Sequence, residues 1–448
     1  MNELKIRVDS LIERLRREDV NMHGFILSVK GKTKAKAYYP PFKEGQPHRM
    51  YSVSKTFTGI AVGMLIDDGL LTLDSRITEF FPEWKGEDPH GWLAIMTIRD
   101  MLRMATCHRY TYYREGTDED WSKPFFTHEP THKPGTVFHY DTGCSQALAA
   151  LVKRLSGKEA IDFLEERLFK PLGLSDEKYW LRDPAGTCQG GTGLCMSLRD
   201  MHEVAQCCLE GGKGIIPEWY CREMGKCHTL TLLQTPEEER YGYGWQCWRT
   251  RAGWAMYGLG GQLSIVCPDK STVLSTIADT RLDPIGVQRI YNAFFDEVYP
   301  YIDKEDMDEI CFAPHPQTLV SHDEYVYADD GRFDFEEGNP LGLKQLCLGN
   351  DCIVYENALG QIKIPFTLGE NISVQFPGYP DVPGQVQAAF VGERTFRLRA
   401  YAIGDSPCGF DMLLKFDADT VTVLCRKSYD FLLTQGYEGV ATGLRGQA

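Results

Sequence analysis

Ser52-Val53-Ser54-Lys55 stands at the head of an apolar-periodic run and constrains the fold more than any other feature of the chain. Phe57, Ile60, Ala61, Met64 and Leu65 recur at i, i+3, i+4, i+7 and i+8, which predicts a helix over 52–68 with Gly69 at its C-cap. Lys55 follows Ser52 by three residues, so both side chains lie on one face, one turn apart. A serine hydroxyl is a poor nucleophile at neutral pH and needs a base within hydrogen-bond reach. A lysine whose pKa falls on burial is such a base. The helix N-terminus adds backbone N–H groups for a developing oxyanion. Taken alone, the four residues fit an ordinary helix cap beside a solvated lysine equally well. A second copy of the spacing, Ser175-Asp176-Glu177-Lys178, follows Pro171-Leu172-Gly173-Leu174, has no apolar helix after it and reads as a surface loop.

Around this helix the pattern alternates between strand and helix signals. Phe25-Ile26-Leu27-Ser28-Val29 is β-rich, Lys30-Gly31-Lys32 turns, Ala35 to Tyr39 returns, and Pro40-Pro41 closes the hairpin. Amphipathic helices are expected at 97–104, 143–156, 158–169, 198–210 and 215–226, strands at 261–267 and 271–279, and a last helix at 284–299. Loops are expected at 106–135 and 182–193. After Asp303, short apolar runs such as Thr420-Val421-Thr422-Val423-Leu424 alternate with Gly, Pro, Asn and Asp turns, the signature of a separate antiparallel β domain.

Composition removes several function classes. A net charge of −15 argues against nucleic acid, which needs a basic face. No apolar stretch of about eighteen residues predicts a membrane span. Leu4, Val8, Leu11, Ile12 and Leu15 recur at helical spacing among charged residues, with no signal-peptide core, so the expected compartment is the cytoplasm. Fifteen cysteines, an odd number with no C-x-x-C pair, read as free thiols, mostly buried small hydrophobes. Cys347 and Cys352 are too isolated to suggest zinc, and no H-E-x-x-H, P-loop or dinucleotide fingerprint occurs.

Several ordered segments agree with one family. Pro47-His48-Arg49-Met50-Tyr51-Ser52-Val53-Ser54-Lys55-Thr56-Phe57, the Gly69–Asp74 and Phe81-Pro82 segments, Thr97 to Thr106 and Leu168-Phe169-Lys170-Pro171-Leu172-Gly173-Leu174 resemble the serine β-lactamase and penicillin-binding protein-like family. The likeness is to its class C-like branch of esterases, D-aminopeptidases and amide hydrolases, and covers about residues 20–300. The resemblance implies an α+β fold: a β-lactamase/transpeptidase-like domain over 1–305, with an antiparallel sheet flanked by helices plus a helical lobe. The antiparallel β domain over 306–448 would shape the pocket, mediate a homodimer, or cap a surface.

The resemblance also assigns residues. Tyr140, in Pro134 to Thr142, fills the place of the family's Y-x-N tyrosine and would be a second acid/base group, shuttling protons as a phenolate beside a cationic lysine. Thr142 stands where the family has asparagine, and Asp141 receives no catalytic role. Met256-Tyr257-Gly258 fills the third motif, K-T-G or H-x-G, without its cation. The backbone N–H groups of Ser52 and Leu259 would form the oxyanion hole. Gly258, Gly260 and Gly261 would allow close backbone approach to substrate, and Tyr257, Thr142 and Tyr112 would line the site. Tyr110, Tyr113 and the Tyr241-Gly242-Tyr243-Gly244-Trp245 segment are softer candidates, equally compatible with packing, and Cys107 and Cys144 are weak ones.

The expected function is hydrolysis of a small-molecule ester or amide through a Ser52 acyl-enzyme with Lys55 and Tyr140 as acid/base, needing no metal or cofactor. The missing charge at Met256 lowers the expectation of β-lactamase or DD-peptidase activity. An acyltransferase using the same acyl-enzyme, a β-lactam or peptide-binding protein, and a catalytically silent scaffold stay open as alternatives.

Overall fold

A computed structural model describes residues 3–113, 119–302, 310–311, 319–322, 329–404, 408–428 and 437–446. The chain divides into two compact units. The first comprises Met1–Tyr38, Lys43–Thr280 and Ile285–Ala313; the second comprises Tyr39–Phe42, Arg281–Pro284 and Pro314–Ala448. The junction expected at 305/306 lies outside the described residues.

The first unit is built on a seven-stranded sheet. Its order is Ile310–Cys311, Lys32–Tyr38, Met22–Val29, Thr272–Ala278, Gln262–Cys267, Gly253–Gly258, Trp248–Thr250. All neighbours pair antiparallel except the first two. Met22–Val29 pairs with both Lys32–Tyr38 and Thr272–Ala278, so the ends of the unit meet at the sheet centre. That strand is buried along its whole length, which explains its near-continuous apolar run. The helix Leu198–Leu209 packs on it, on Thr272–Ala278 and on Gln262–Cys267. The helix Glu3–Arg17 buries Leu4, Val8, Leu11 and Leu15. Its other face carries ion pairs at i, i+4, including Arg14–Glu18 at 3.0 Å. The expected helix at 284–299 is α-helical over Gly286–Ala293 and continues as a π turn over Phe294–Val298.

The helical lobe centres on Val53–Asp67. The sequence suggests one apolar stripe, yet every residue from Val53 to Leu65 is buried. The helix Thr142–Ser156 packs along it. Gly59 and Gly63 leave room for Tyr220: a Cβ on Gly63 would lie 2.4 Å from the Tyr220 ring. Polar residues on a helix buried all round need partners, and these have them. Thr56 Oγ1 donates to the Gln246 carbonyl at 2.7 Å, Thr58 Oγ1 donates to the Gly190 carbonyl at 2.8 Å, and Ser54 Oγ accepts from the Leu194 N–H at 3.0 Å. The helix ends at Gly69, whose φ of +73° is the conformation glycine adopts without strain. The expected 106–135 loop contains one helical turn, Lys123–Thr127.

The second unit contains a ten-stranded antiparallel sheet. Its two edge strands, Gly360–Pro365 and Asn371–Gln375, are close in sequence. Alternation matches the pleat: Phe396, Leu398 and Ala400 are buried with Phe410, Met412 and Leu414 of the neighbouring strand. Among residues whose side chains are described, fourteen cysteines remain thiols.

Gly63→Ala forces a methyl group into the Tyr220 ring. It is expected to destabilise the protein by about 1–3 kcal/mol in urea unfolding. Unchanged stability would show that Tyr220 moves aside freely.

Candidate active site

Ser52 caps the buried helix and follows a constrained residue. Tyr51 has φ +48°, a left-handed conformation that a bulky L-residue adopts only when its surroundings impose it. The Met50 N–H bonds the Leu194 carbonyl at 2.8 Å. Behind Met50 lies Gly258, where a Cβ would sit 2.1 Å from the Met50 carbonyl oxygen. No side chain fits between this strand end and the segment carrying Ser52, so Gly258 serves close backbone approach.

Lys55 is buried and points back at Ser52. Its Nζ donates to Ser52 Oγ at 3.0 Å and to the Gly191 carbonyl at 2.8 Å. Burial lowers its pKa to about 7, against the opposing pull of Asp141 and Cys144. A pKa near neutrality lets part of the population at pH 7 carry the neutral amine, within reach of the Ser52 hydroxyl. Gly191 permits this geometry: a Cβ there would meet the Thr142 methyl at 2.7 Å and Lys55 Nζ at 3.2 Å.

Tyr140 lies against the same pair. Lys55 Nζ sits 4.8 Å from its ring centroid. Burial pushes the phenol well above its ordinary range, while the Ser52 hydroxyl beside it pulls the other way. Burial of both groups favours the neutral phenol beside a neutral amine over the phenolate expected beside a cationic lysine. The ring stacks on Trp248 at 5.3 Å between centroids and meets Tyr243 edge-on at 6.2 Å.

The other sequence-nominated residues take varied positions. Thr142 opens the helix Thr142–Ser156, its methyl facing Gly191. Leu259, Gly260 and Gly261 make the turn between Gly253–Gly258 and Gln262–Cys267. The Leu259 carbonyl accepts from Gln262 Nε2 at 2.8 Å, and that of Gly260 accepts from the Thr280 N–H at 3.0 Å. Gly260 and Gly261 have φ of +88° and +97°, so the turn itself requires glycine. Met256 is buried and Tyr257 half-buried. Tyr112 stacks on His128 at 3.9 Å and meets His108 edge-on, so its ring is engaged in packing. Tyr113 reaches Thr192 Oγ1 at 3.3 Å and Tyr110 is exposed. Tyr243 and Trp245 are core residues, whereas Tyr241 is exposed. Cys144 is a buried thiol donating to the Met101 carbonyl, and burial raises its pKa and that of Cys107. In the second S-x-x-K copy, Lys178 pairs with Glu165 at 2.9 Å, away from any hydroxyl partner of its own motif.

Three participants escape the sequence reading, and Asp141, given no catalytic role there, is buried beside them. Gly191 holds Lys55, and Trp248 holds Tyr140. Gln246, at φ +56°, accepts from Ser145 Oγ at 2.7 Å and donates to the Met101 carbonyl at 3.0 Å, tying the helix Thr142–Ser156 to Ile98–Leu102. Asp141 is fully buried: its carboxyl faces the Gly143 and Cys144 N–H groups and Thr111 without closing a well-formed hydrogen bond. Burial raises it to about 7. Among the described residues, no three His, Cys, Asp or Glu side chains group as metal ligands.

The Beta-lactamase family sequence model matches residues 9–297, so the chain belongs to that family. It is 25% identical over 228 residues to the 6-aminohexanoate-dimer hydrolase of Paenarthrobacter ureafaciens, covering 46% of this chain and 58% of that one. It is 25% identical over 157 residues to the lovastatin esterase of Penicillium rubens (strain ATCC 28089 / DSM 1075 / NRRL 1951 / Wisconsin 54-1255), covering 29% and 38% respectively. The match thus spans little more than half the length of the first relative and less of the second. The crystal structure of SurE with D-Leu superposes with a TM-score of 0.52 at 16% identity, over 94% of this chain and 97% of that one; at this identity the likeness concerns the fold.

Gly258→Ala drives a methyl group into the Met50 carbonyl. It is expected to cost about 1–3 kcal/mol in chemical unfolding. Gly173→Ala, whose Cβ would meet nothing within 4 Å at φ +67°, is expected to cost only about 1 kcal/mol. Equal losses would contradict the close-approach role of Gly258.

Proposed function

We propose that this chain is a serine hydrolase that opens a small-molecule ester or amide through an acyl-enzyme on Ser52. The observation that carries this reading is the buried Lys55 placed 3.0 Å from Ser52 Oγ, where burial draws its pKa down to about 7. As the Ser52 Oγ–C bond forms, the hydroxyl proton passes to Lys55 Nζ. The resulting oxyanion is received by the backbone N–H groups of Ser52 and Leu259. The tetrahedral species collapses by breaking the carbonyl-carbon bond to the leaving oxygen or nitrogen, which takes the proton held by Lys55, either directly or through the Tyr140 phenol as Lys55 replaces the proton Tyr140 gives up, so that Lys55 is left neutral. Water then adds to the acyl-enzyme, giving its proton to Lys55, and Ser52 leaves reprotonated. Tyr140, held neutral by burial, serves this scheme as a proton donor, with Lys55 as the base.

The family relationship supports hydrolase chemistry, and the named relatives include an amide-type and an ester-type hydrolase. Met256 supplies no cation for a substrate carboxylate. The reading therefore favours substrates without an essential carboxylate over β-lactams and cell-wall peptides.

A fluorophosphonate probe should label the wild type on Ser52 and leave Ser52→Ala unlabelled; equal labelling of the two would refute the nucleophile. Lys55→Met and Tyr140→Phe should each lower kcat/KM for p-nitrophenyl acetate by about 10²–10⁴-fold.

The pH dependence has a definite sign. Below about pH 7 Lys55 is protonated and cannot accept the Ser52 proton; above it the amine is free. The acylation rate should rise with pH through about 7. A rate that falls across this range, or rises only near the ordinary lysine pKa, would contradict Lys55 as base.

A further inference from the structure

Glu238 and Glu239 are consecutive on the 3-10 turn Glu237–Tyr241, and both are buried. Glu238 is paired: its carboxylate takes the Arg251 guanidinium at 2.6 Å and the Arg251 backbone N–H at 2.8 Å. Glu239 is 8% exposed, and among the described residues its carboxyl has no hydrogen bond or ion pair. Its backbone is nonetheless fixed, since its N–H bonds the Pro236 carbonyl at 3.1 Å and its carbonyl accepts from Thr231 Oγ1. A fixed carboxyl buried to this extent, with solvent as its only partner, stands open to a cation that would pair with it.

Its surroundings point to the active site. The turn packs on Trp248–Thr250, whose Trp248 stacks on Tyr140. The negative charge of Glu239 acts on the hydroxyls of Tyr140, Tyr257 and Tyr291, disfavouring their ionisation. Nearby cations are already committed: Arg251 to Glu238, and Arg240 to the Gln234 carbonyl at 2.8 Å. Met256, in the position where the resemblance places a cation, brings no charge. Burial raises the Glu239 pKa to about 8, so an arriving cation would both release its proton and pair with it.

We propose that Glu239 is a specificity residue that receives the ammonium group of an amine-bearing ester or amide substrate. This rests on the Ser52 reading and narrows it to a substrate class. An ammonium paired with a carboxylate beside the Tyr140 and Tyr257 rings exchanges water for a charge-assisted hydrogen bond in a desolvated setting. A neutral substrate of equal size leaves Glu239 unpaired.

Hexylammonium and 1-hexanol are matched cationic and neutral probes. In calorimetric titration, the wild type should bind hexylammonium about ten-fold more tightly or better, as expected for a charged hydrogen bond. Ser52→Ala should keep this preference, and Glu239→Gln should lose it while melting at the wild-type temperature. Hexylammonium should also slow fluorophosphonate labelling of wild-type Ser52, placing the two sites in one pocket. Equal affinity of the wild type for both probes overturns the proposal, even if Glu239→Gln fails to fold. So does a preference that survives in Glu239→Gln, or labelling unaffected by saturating hexylammonium. A preserved, Glu239-dependent preference in a protein whose labelling does not require Ser52 would instead refute the nucleophile and leave the ammonium site standing.

Discussion

The placement of the Lys55 amine inside a helix buried on every side is the constraint on which the rest of the site depends. An ammonium taken out of water without a full counter-ion is expensive, and the structure meets that cost by lowering the lysine's affinity for its proton. What it offers in return is a carbonyl from Gly191 and a hydroxyl from Ser52. The glycines around the lysine follow from this. Gly190 and Gly191 let a loop backbone come close to the helices: a Cβ on Gly190 would lie 2.5 Å from the Ser145 carbonyl oxygen. Ser54, Thr56 and Thr58 then fasten the helix to that loop and to Gln246, so the hydrogen bonds that satisfy the buried helix also position the Lys55 amine.

The charge balance around this amine is unusual. Lys55 and Asp141 are both fully buried and both are brought to about 7, one downward and one upward. Each favours the other's charged form while burial opposes both. Tyr140 is held as a phenol, and Glu239 adds a further titratable carboxyl without a cation of its own. The third-motif strand brings no permanent positive charge of its own at Met256.

Much of the fold was legible because local and global signals agree. Ser52, Lys55 and Tyr140 were readable from one-turn spacing and from ordered flanking segments, and the structure brings all three together. The helix starting at Ser52 was visible as a stripe, but its complete burial was not. Gly59 and Gly63 carry no sequence sign that Tyr220 will fill the space above them. Trp248, Gln246 and Gly191 come from distant segments and act through stacking, a side-chain clamp and a carbonyl oxygen, none of which leaves a periodic trace. Glu239 was hidden in the acidic run Glu237-Glu238-Glu239, which looks like solvated surface until Arg251 is seen to pair with only one of its members. Tyr112 is the converse case: its loop suggested a pocket wall, and its ring is taken up by His128 and His108.

The account stands on the protonation state of one amine, which can be read without any substrate. A ¹³C-NMR titration of ε-labelled lysine, with Lys55→Met to assign the resonance, should show one lysine changing charge near pH 7, well below the rest. A Lys55 resonance that titrates with the surface lysines near 10.5 would contradict the account, because the base beside Ser52 would then be fully protonated at neutral pH.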